Sequence, residues 1–301
     1  MKKLSIIIPC FNSDDCFDVL IKEIIKLNHL LNGKILVEYV LVNDGSTDNT
    51  WNEMLRFQNS IPNTRLLQLT GNFGSYAAFL AGLAHGSGDC YAQLHTDLQD
   101  PPDSIPEMVD YWLKGIKLVI GQRTQREEAK STLFFAKIYH QTIKKIALPH
   151  IPEGGYDLIL FDKELRDLVV NLNESNINLV YLLSAFKHPY VCIPITRVKR
   201  PSGRSGWTLK AKIKLVVDSL VGFSYFPIQI LSLITLIFFM GCLVSVIVLT
   251  GGISTLKLLA LLISGSAFLL SLMMTIIGEY LWRTLEAARK RPPYIVDKVL
   301  D

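Results

Sequence analysis

The sequence predicts an α/β chain: a Rossmann-like, mostly parallel sheet, then an interfacial helix and two transmembrane helices. Three observations lead there. Short, almost wholly apolar runs alternate with helical patterns through the first 200 residues. No charged residue occurs from 219 to 256, and none from 258 to 278. Polar residues gather just after four successive apolar runs.

The runs 4–9, 35–43, 65–69, 90–94 and 118–121 read as buried strands. The segments 15–31, 48–57, 75–85 and 104–114 between them carry apolar residues at helical spacing. Strands apolar on both faces and alternating with helices belong to a parallel sheet covered on both sides. Met1-Lys2-Lys3 resembles the start of a secretory signal, but Ile6, Ile7 and Ile8 run at once into Pro9 and then Asp14, Asp15 and Asp18. That apolar stretch is too short for a signal and reads as the first strand.

Each uncharged run supplies the roughly 20 residues a helix needs to cross a bilayer. The spans are placed at 227–249 and 258–281, with a turn at 250–254, as a hairpin over 227–283. Two buried core helices are the alternative, and the runs are long for it. Lys210, Lys212 and Lys214 precede the hairpin, Arg283, Arg289, Lys290 and Arg291 follow it, and only Lys257 lies between. The positive-inside rule then puts the domain 1–207, the tail 284–301 and hence both termini in the cytoplasm. Across 208–226, Leu209, Ile213, Val216, Val217, Leu220 and Val221 form an apolar stripe with the lysines mostly off it. This suits a helix lying among lipid headgroups, or a surface helix of the soluble domain.

Half the residues are hydrophobic and the mean hydropathy is +0.30, which excludes a disordered chain. With 31 Lys+Arg against 27 Asp+Glu, the net charge of +4 offers nothing for nucleic acid. Cysteines 10, 16, 90, 192 and 242 form no C-x-x-C pair, which argues against a disulfide framework or a zinc ribbon.

In a parallel α/β sheet, ligands bind beyond the carboxyl ends of the strands. Those positions hold Pro9-Cys10-Phe11-Asn12, Asn43-Asp44-Gly45-Ser46-Thr47-Asp48, Gly71-Asn72-Phe73-Gly74 and His95-Thr96-Asp97-Leu98-Gln99-Asp100-Pro101-Pro102. Each has a structural alternative. Asp44-Gly45-Ser46 makes a turn, Ser46 or Asp48 a helix cap, and Asn72 and Gly74 loop punctuation. Asp97 and Asp100 could cap the helix that Pro101 and Pro102 open. Four such clusters on one edge favour a nucleotide-sized site.

These segments, with Ala78, Gly82, Gly88-Asp89, Gly155-Tyr156-Asp157-Leu158-Ile159-Leu160-Phe161-Asp162 and Arg200-Pro201-Ser202-Gly203-Arg204-Ser205, resemble family 2 glycosyltransferases of the GT-A fold. The likeness is strongest to the branch that loads a sugar onto a polyprenyl phosphate, such as bactoprenol and dolichol-phosphate glycosyltransferases. It runs along essentially the whole chain. It implies that Pro9, Phe11, Asn12 and Asp44 hold the nucleobase and ribose, with Asn72 and Gly74 also on the nucleotide-sugar. Asp97 would bind Mg²⁺ or Mn²⁺ on the diphosphate, with Gln99 and His95 as further ligands. Asp157 matches an acceptor-side acidic position. Arg200 and Arg204 would meet phosphates, and Arg123 is a weaker candidate for the same task. The implied reaction moves one sugar, with inversion, from a UDP-sugar (UDP-glucose as first guess) to undecaprenyl phosphate for envelope glycan or lipopolysaccharide modification. The implied place is the cytoplasmic face of a bacterial inner membrane, among membrane lipids.

The chemistry asks for these residue types independently. A departing nucleotide diphosphate gathers negative charge, which a hard cation on oxygen ligands neutralises. Arginine forks suit phosphate oxygens. The acceptor phosphate is already anionic, so Asp157 either orients it or acts as a base, with no strong base required. One departure stands out: the family's Asp-x-Asp is here His95-Thr96-Asp97. A working variant, a shifted metal preference and a non-catalytic scaffold that kept its nucleotide pocket all fit that change. A processive polysaccharide synthase fits poorly, because no Gln-x-x-Arg-Trp motif is present. Gly241, Ser245, Gly265 and Ser266 would allow close helix contacts in a homo-oligomer, and lipid packing explains them equally well.

Overall fold

The computed structural model describes residues 1–123, 155–172, 179–196, 255–289 and 292–301, with positions 141, 144, 229, 233–237 and 240. The chain divides into two units, Met1–Lys212 with Pro292–Asp301, and Ile213–Arg291.

Among the described residues, the first unit is built on eight strands: β1 (Lys3–Cys10), β2 (Leu36–Asn43), β3 (Thr64–Leu69), β4 (Cys90–Gln93), β5 (Leu118–Arg123), β6 (Gly155–Asp162), β7 (Val191–Ile195) and β8 (Val296–Leu300). Their order across the sheet is β7-β5-β6-β4-β1-β2-β3-β8. Strands β1, β2, β3 and β4 are mutually parallel, and β5 is parallel to β7. Strands β6 and β8 run antiparallel to their neighbours, so the sheet is mixed.

The helices are α1 (Phe17–Leu31), α2 (Thr50–Ser60), α3 (Ser75–His85), α4 (Ile105–Leu113), α5 (Lys163–Leu172) and α6 (Leu179–Ala185). The alternation of β1 sorts them onto two faces. Ile6 and Ile8 pack with Phe17, Leu20 and Ile24 of α1, Met54 and Phe57 of α2, and Met108 of α4. Ile7 points the other way, into a cluster with Ala78, Phe79 and Leu83 of α3, Leu165 of α5 and Leu182 of α6. Strands apolar at every position are thereby buried on both sides. Gly82 lets α3 press onto β1, since a Cβ there would stand 2.2 Å from Cγ2 of Ile7.

The five strands and four helices expected from the sequence are in their places. Strands β6, β7 and β8 were not expected. Residues 284–301 were expected to be a basic tail. They begin as the end of a long helix and finish as β8, hydrogen-bonded along β3 from Leu66↔Leu300 to Leu69↔Val296. Beyond the strand pairing, the N–H of Thr70 donates to the Ile295 carbonyl at 3.0 Å.

The second unit is described chiefly by α7 (Thr255–Arg289), which contains the expected second span. Among the described residues it is the one helix long and apolar enough to cross a membrane, and only 6% of its apolar window Gly265–Trp282 is buried. Phe268, Leu270 and Met274 stand well exposed. The hydroxyls of Ser266, Thr275 and Thr284 donate to the carbonyls of Ile263, Ser271 and Tyr280 at 2.8–3.0 Å, satisfying polar groups within the helix itself. Positions 233–237, from the expected first span, are helical, and Thr235 Oγ1 donates to Met273 Sδ at 3.9 Å. Most of 227–249 and all of the expected interfacial helix 208–226 lie outside the described residues.

Candidate active site

The parallel strands end together. Cys10 stands opposite Asn43, and Asn43 opposite Gln68, so the chain leaves β1, β2 and β3 along one edge. Strand β4 stops opposite Ile7, and the 94–100 loop begins there with the N–H of Leu94 donating to the Ile7 carbonyl at 3.0 Å.

The loops after β1 and β2 are tied by side chains. Asn12 adopts φ 45°, a left-handed conformation that asparagine tolerates. Its Oδ1 accepts the Thr47 N–H at 2.9 Å, and its own N–H donates to Ser46 Oγ at 3.1 Å. Asn43 Oδ1 accepts the Ser46 N–H at 3.0 Å, and Thr50 Oγ1 accepts the Ser13 N–H at 2.9 Å. The N-cap of α2 is Asn49, and Asp48, the residue before it, takes the Thr50 N–H at 3.0 Å. Partial burial pulls the Asp48 pKa up, but hydrogen bonds led by those from Thr50 outweigh it and leave the pKa below the usual value.

Asp44 faces a different way. Its side chain is 2% exposed. Oδ1 accepts the Phe73 N–H at 2.7 Å and Oδ2 the Gly74 N–H at 2.9 Å. Burial raises its pKa, and those two hydrogen bonds offset the rise only in part. The rim beside it is open: Asn12 and Asn72 are exposed, with Phe11 and Phe73. Pro9 is buried in β1. Gly74, at φ 95°, is the residue from which α3 starts.

After β4, His95, Thr96, Asp97 and Gln99 are partly exposed and Asp100 is buried. Leu98 is held at φ 47°, an uncommon conformation for a branched side chain. The Leu98 N–H donates to the His95 carbonyl at 3.2 Å, and the Gln99 N–H to Asp97 Oδ1 at 3.3 Å. One tight turn therefore carries the Asp97 carboxylate and the Gln99 amide. Among the described residues no three His, Cys, Asp or Glu gather as a metal cage. An oxygen-rich but short donor set suits Mg²⁺ or Mn²⁺, which take one or two carboxylates and complete their shell on phosphate oxygens.

Arg123 closes β5 on the same edge, opposite Gly155 of β6. The pairing shifts there: Gly121 faces Leu158 and Gln122 faces Tyr156, which leaves the Asp157 backbone as the extra residue. Such bulges re-aim a strand next to a site. Arg200 and Arg204 lie outside the described residues. The structure thus brings Phe11, Asn12, Asp44, Asn72 and Gly74 into one hydrogen-bonded set of loops, with Asp97, Gln99 and Arg123 on the same strand-end edge. Phe73 lies inside the Asn72-Phe73-Gly74 motif, and no role for it is expected from the sequence. Its signal was a large apolar residue between two loop formers, Asn72 and Gly74.

A profile of the family described as Glycosyl transferase family 2 matches residues 5–168. A prophage bactoprenol glucosyl transferase homolog of Escherichia coli is 29% identical, covering 99% of this chain and 99% of its own. An undecaprenyl-phosphate 4-deoxy-4-formamido-L-arabinose transferase of Yersinia pestis is 27% identical, covering 100% of this chain and 94% of its own. Among solved structures, glucosyl-3-phosphoglycerate synthase from Mycobacterium tuberculosis, in complex with Mn²⁺ and UDP-glucose, superposes with a TM-score of 0.51 at 18% identity, covering 73% of this chain and 78% of that one. That last likeness concerns the fold, an α/β sheet of GT-A type.

Proposed function

The chain belongs to glycosyl transferase family 2, and on that footing we propose that it moves one sugar from a nucleotide-sugar to a polyprenyl phosphate at a membrane surface. The observation that carries this reading is the near-complete overlap with a bactoprenol glucosyl transferase homolog, which extends through the apolar helix α7 as well as the catalytic sheet. UDP-glucose is the first donor to test, undecaprenyl phosphate the first acceptor, and the cytoplasmic face of a bacterial inner membrane the expected place.

In this reading the nucleoside end lies on the open rim of Phe11 and Asn12, with Asn72 and Gly74 toward the diphosphate. Asp97 and Gln99, with His95 beside them, hold Mg²⁺ or Mn²⁺. Bound there, the cation acts as a Lewis acid and template for the diphosphate leaving group. Arg200, Arg204 and Arg123 are assigned to phosphates of donor and acceptor, and Asp157 to orienting the acceptor. The acceptor phosphate attacks the anomeric carbon in line, the sugar–diphosphate bond breaks, and the configuration inverts. The acceptor oxygen is already anionic, so no proton has to be removed. Holding both substrates in one crevice supplies much of the rate. The hairpin and the basic segment before it let the crevice meet a headgroup whose chain stays in the bilayer.

The test uses full-length protein in nanodiscs with undecaprenyl phosphate, Mn²⁺ or Mg²⁺, and a panel of UDP- and GDP-sugars, followed by mass spectrometry. A metal-dependent lipid-linked monosaccharide, lost in Asp97→Ala, is expected. No product from any donor, with no metal-dependent UDP binding, would refute the reading in favour of a non-catalytic scaffold.

A further inference from the structure

Of the polar side chains expected to touch the nucleotide, Asp44 is buried while Asn12 and Asn72 are exposed. Asp44 is 2% exposed, and each of its carboxylate oxygens is engaged by a backbone N–H of the neighbouring loop. Its own N–H donates to the Cys10 carbonyl at 2.9 Å, so the group is fixed from the β1 side as well. The next residue, Gly45, touches Gly71 backbone to backbone. Two independent features thus lock the end of β2 to the 70–74 loop.

We propose that Asp44 is a positioning residue: it clamps the Asn72-Phe73-Gly74 loop in a donor-binding shape without touching the donor. The inference rests on the glycosyl-transfer reading above for what the loop binds. The physical reason is local. Gly74 is the N-cap of α3 and Phe73 the residue before it, so neither backbone N–H has a partner within the helix. The cap residue, Gly74, has no side chain to serve the helix end. The Asp44 carboxylate, just past the end of β2, takes both N–H groups and sits favourably at the positive end of the helix. Asn72 and Phe73 are exposed as a result, with their backbone held from below. The clamp needs the ionised carboxylate, because a protonated oxygen would turn a donor toward an N–H.

The test compares wild type, Asp44→Asn, Asn72→Ala and the double variant as full-length protein in nanodiscs. Hydrogen exchange over the peptide covering 70–76 is read first, without ligand, then UDP and GDP affinity. Asp44→Asn keeps one acceptor oxygen and loses the other. It is expected to speed exchange in that peptide and weaken UDP about tenfold, the loss typical of one charge-assisted hydrogen bond. In the Asn72→Ala background it should cost little more, since both changes act through one loop. Wild-type UDP affinity should fall on acidification in a limb that Asp44→Asn lacks. Unchanged exchange over 70–76 overturns the clamp. So does an additive loss accompanied by altered preference between UDP and GDP, which would make Asp44 a direct reader of the base. A wild type that binds neither nucleotide refutes the glycosyl-transfer reading, while the exchange comparison still decides whether Asp44 holds the loop.

Discussion

Gly45 and Gly71 meet backbone against backbone: a Cβ on Gly45 would lie 2.5 Å from the carbonyl carbon of Gly71 and 2.7 Å from the Asn72 nitrogen. Gly45 is also at φ 69°, in the left-handed region. Gly45→Ala therefore meets a steric and a conformational penalty at once, and the colliding atoms are main chain. Destabilisation of at least about 2 kcal/mol is expected, with weakened UDP binding. Denaturant melts and nucleotide titration check it, and a variant as stable as wild type would contradict the close approach.

On the opposite edge of the sheet, Glu38 is nearly buried and joins four groups. Its carboxylate accepts the Ser5 hydroxyl, the Ser87 N–H, the Ser87 hydroxyl at 2.6 Å and the Lys3 ammonium at 3.2 Å. Burial pushes its pKa up, but these bonds outweigh it and leave the pKa below the usual glutamate value. With the folded pKa depressed, the stabilisation is fully present above the unfolded-state value and disappears as pH falls through the folded one. Glu38→Gln should cost about 2 kcal/mol at neutral pH, as expected for losing bonds to a charged group. The gap between the two proteins should close on acidification. A gap that widened in acid would give the shift the wrong sign.

Asp97 is partly exposed and bonds within its own turn, so its removal should spare the fold. Asp97→Ala should lower turnover by about two orders of magnitude or more, the scale of losing a principal electrostatic group, with little change in melting temperature. His95→Asp tests the departure from Asp-x-Asp. An imidazole favours Mn²⁺ over Mg²⁺, so the variant should shift activity toward Mg²⁺. Rates in each metal measure it, and an unchanged ratio would remove His95 from the ligand set.

The C-terminal strand predicts a sensitive truncation. Deleting 292–301 strips β8 from β3, removes Tyr294 and Val296 from the core, and breaks the bonds of Arg65 to Asp301 and of Thr70 to Ile295. Thr70 lies two residues before Asn72. The truncated protein should still associate with membranes through α7, melt at lower temperature and lose UDP affinity. Full retention of binding would separate β8 from the site.

Much of the site was legible because parallel strands place their loops by rule. Phe11, Asn12, Asp44, Asn72 and Asp97 each follow an apolar run, and a parallel sheet gathers such positions on one edge. Strand β6 was quoted as a motif but not recognised as an element. Its partners β4 and β5 lie some 30 to 70 residues earlier, and no local signal announces antiparallel insertion between them. Strand β8 was harder still: Val296-Asp297-Lys298-Val299-Leu300 follows a basic stretch that reads equally well as a solvated tail. Gly88 and Asp89 belonged to the family likeness, yet they sit at the edge away from the site. There Gly88 N–H donates to Ser5 Oγ at 2.8 Å and Asp89 Oδ2 takes the Lys3 N–H at 2.9 Å.

The sequence by itself determined the α/β alternation, the apolar C-terminal region and the set of residues that follow the carboxyl ends of the parallel strands. These depend on periodicity and on order along the chain, which are local quantities. Only the tertiary structure decided which partners these residues hold. It set Asp44 as a buried acceptor of two backbone N–H groups, and it returned the last strand to the edge of β3. Both outcomes depend on contacts between segments far apart in the chain, where burial and unsatisfied backbone donors select the partner and no sequence spacing records the choice.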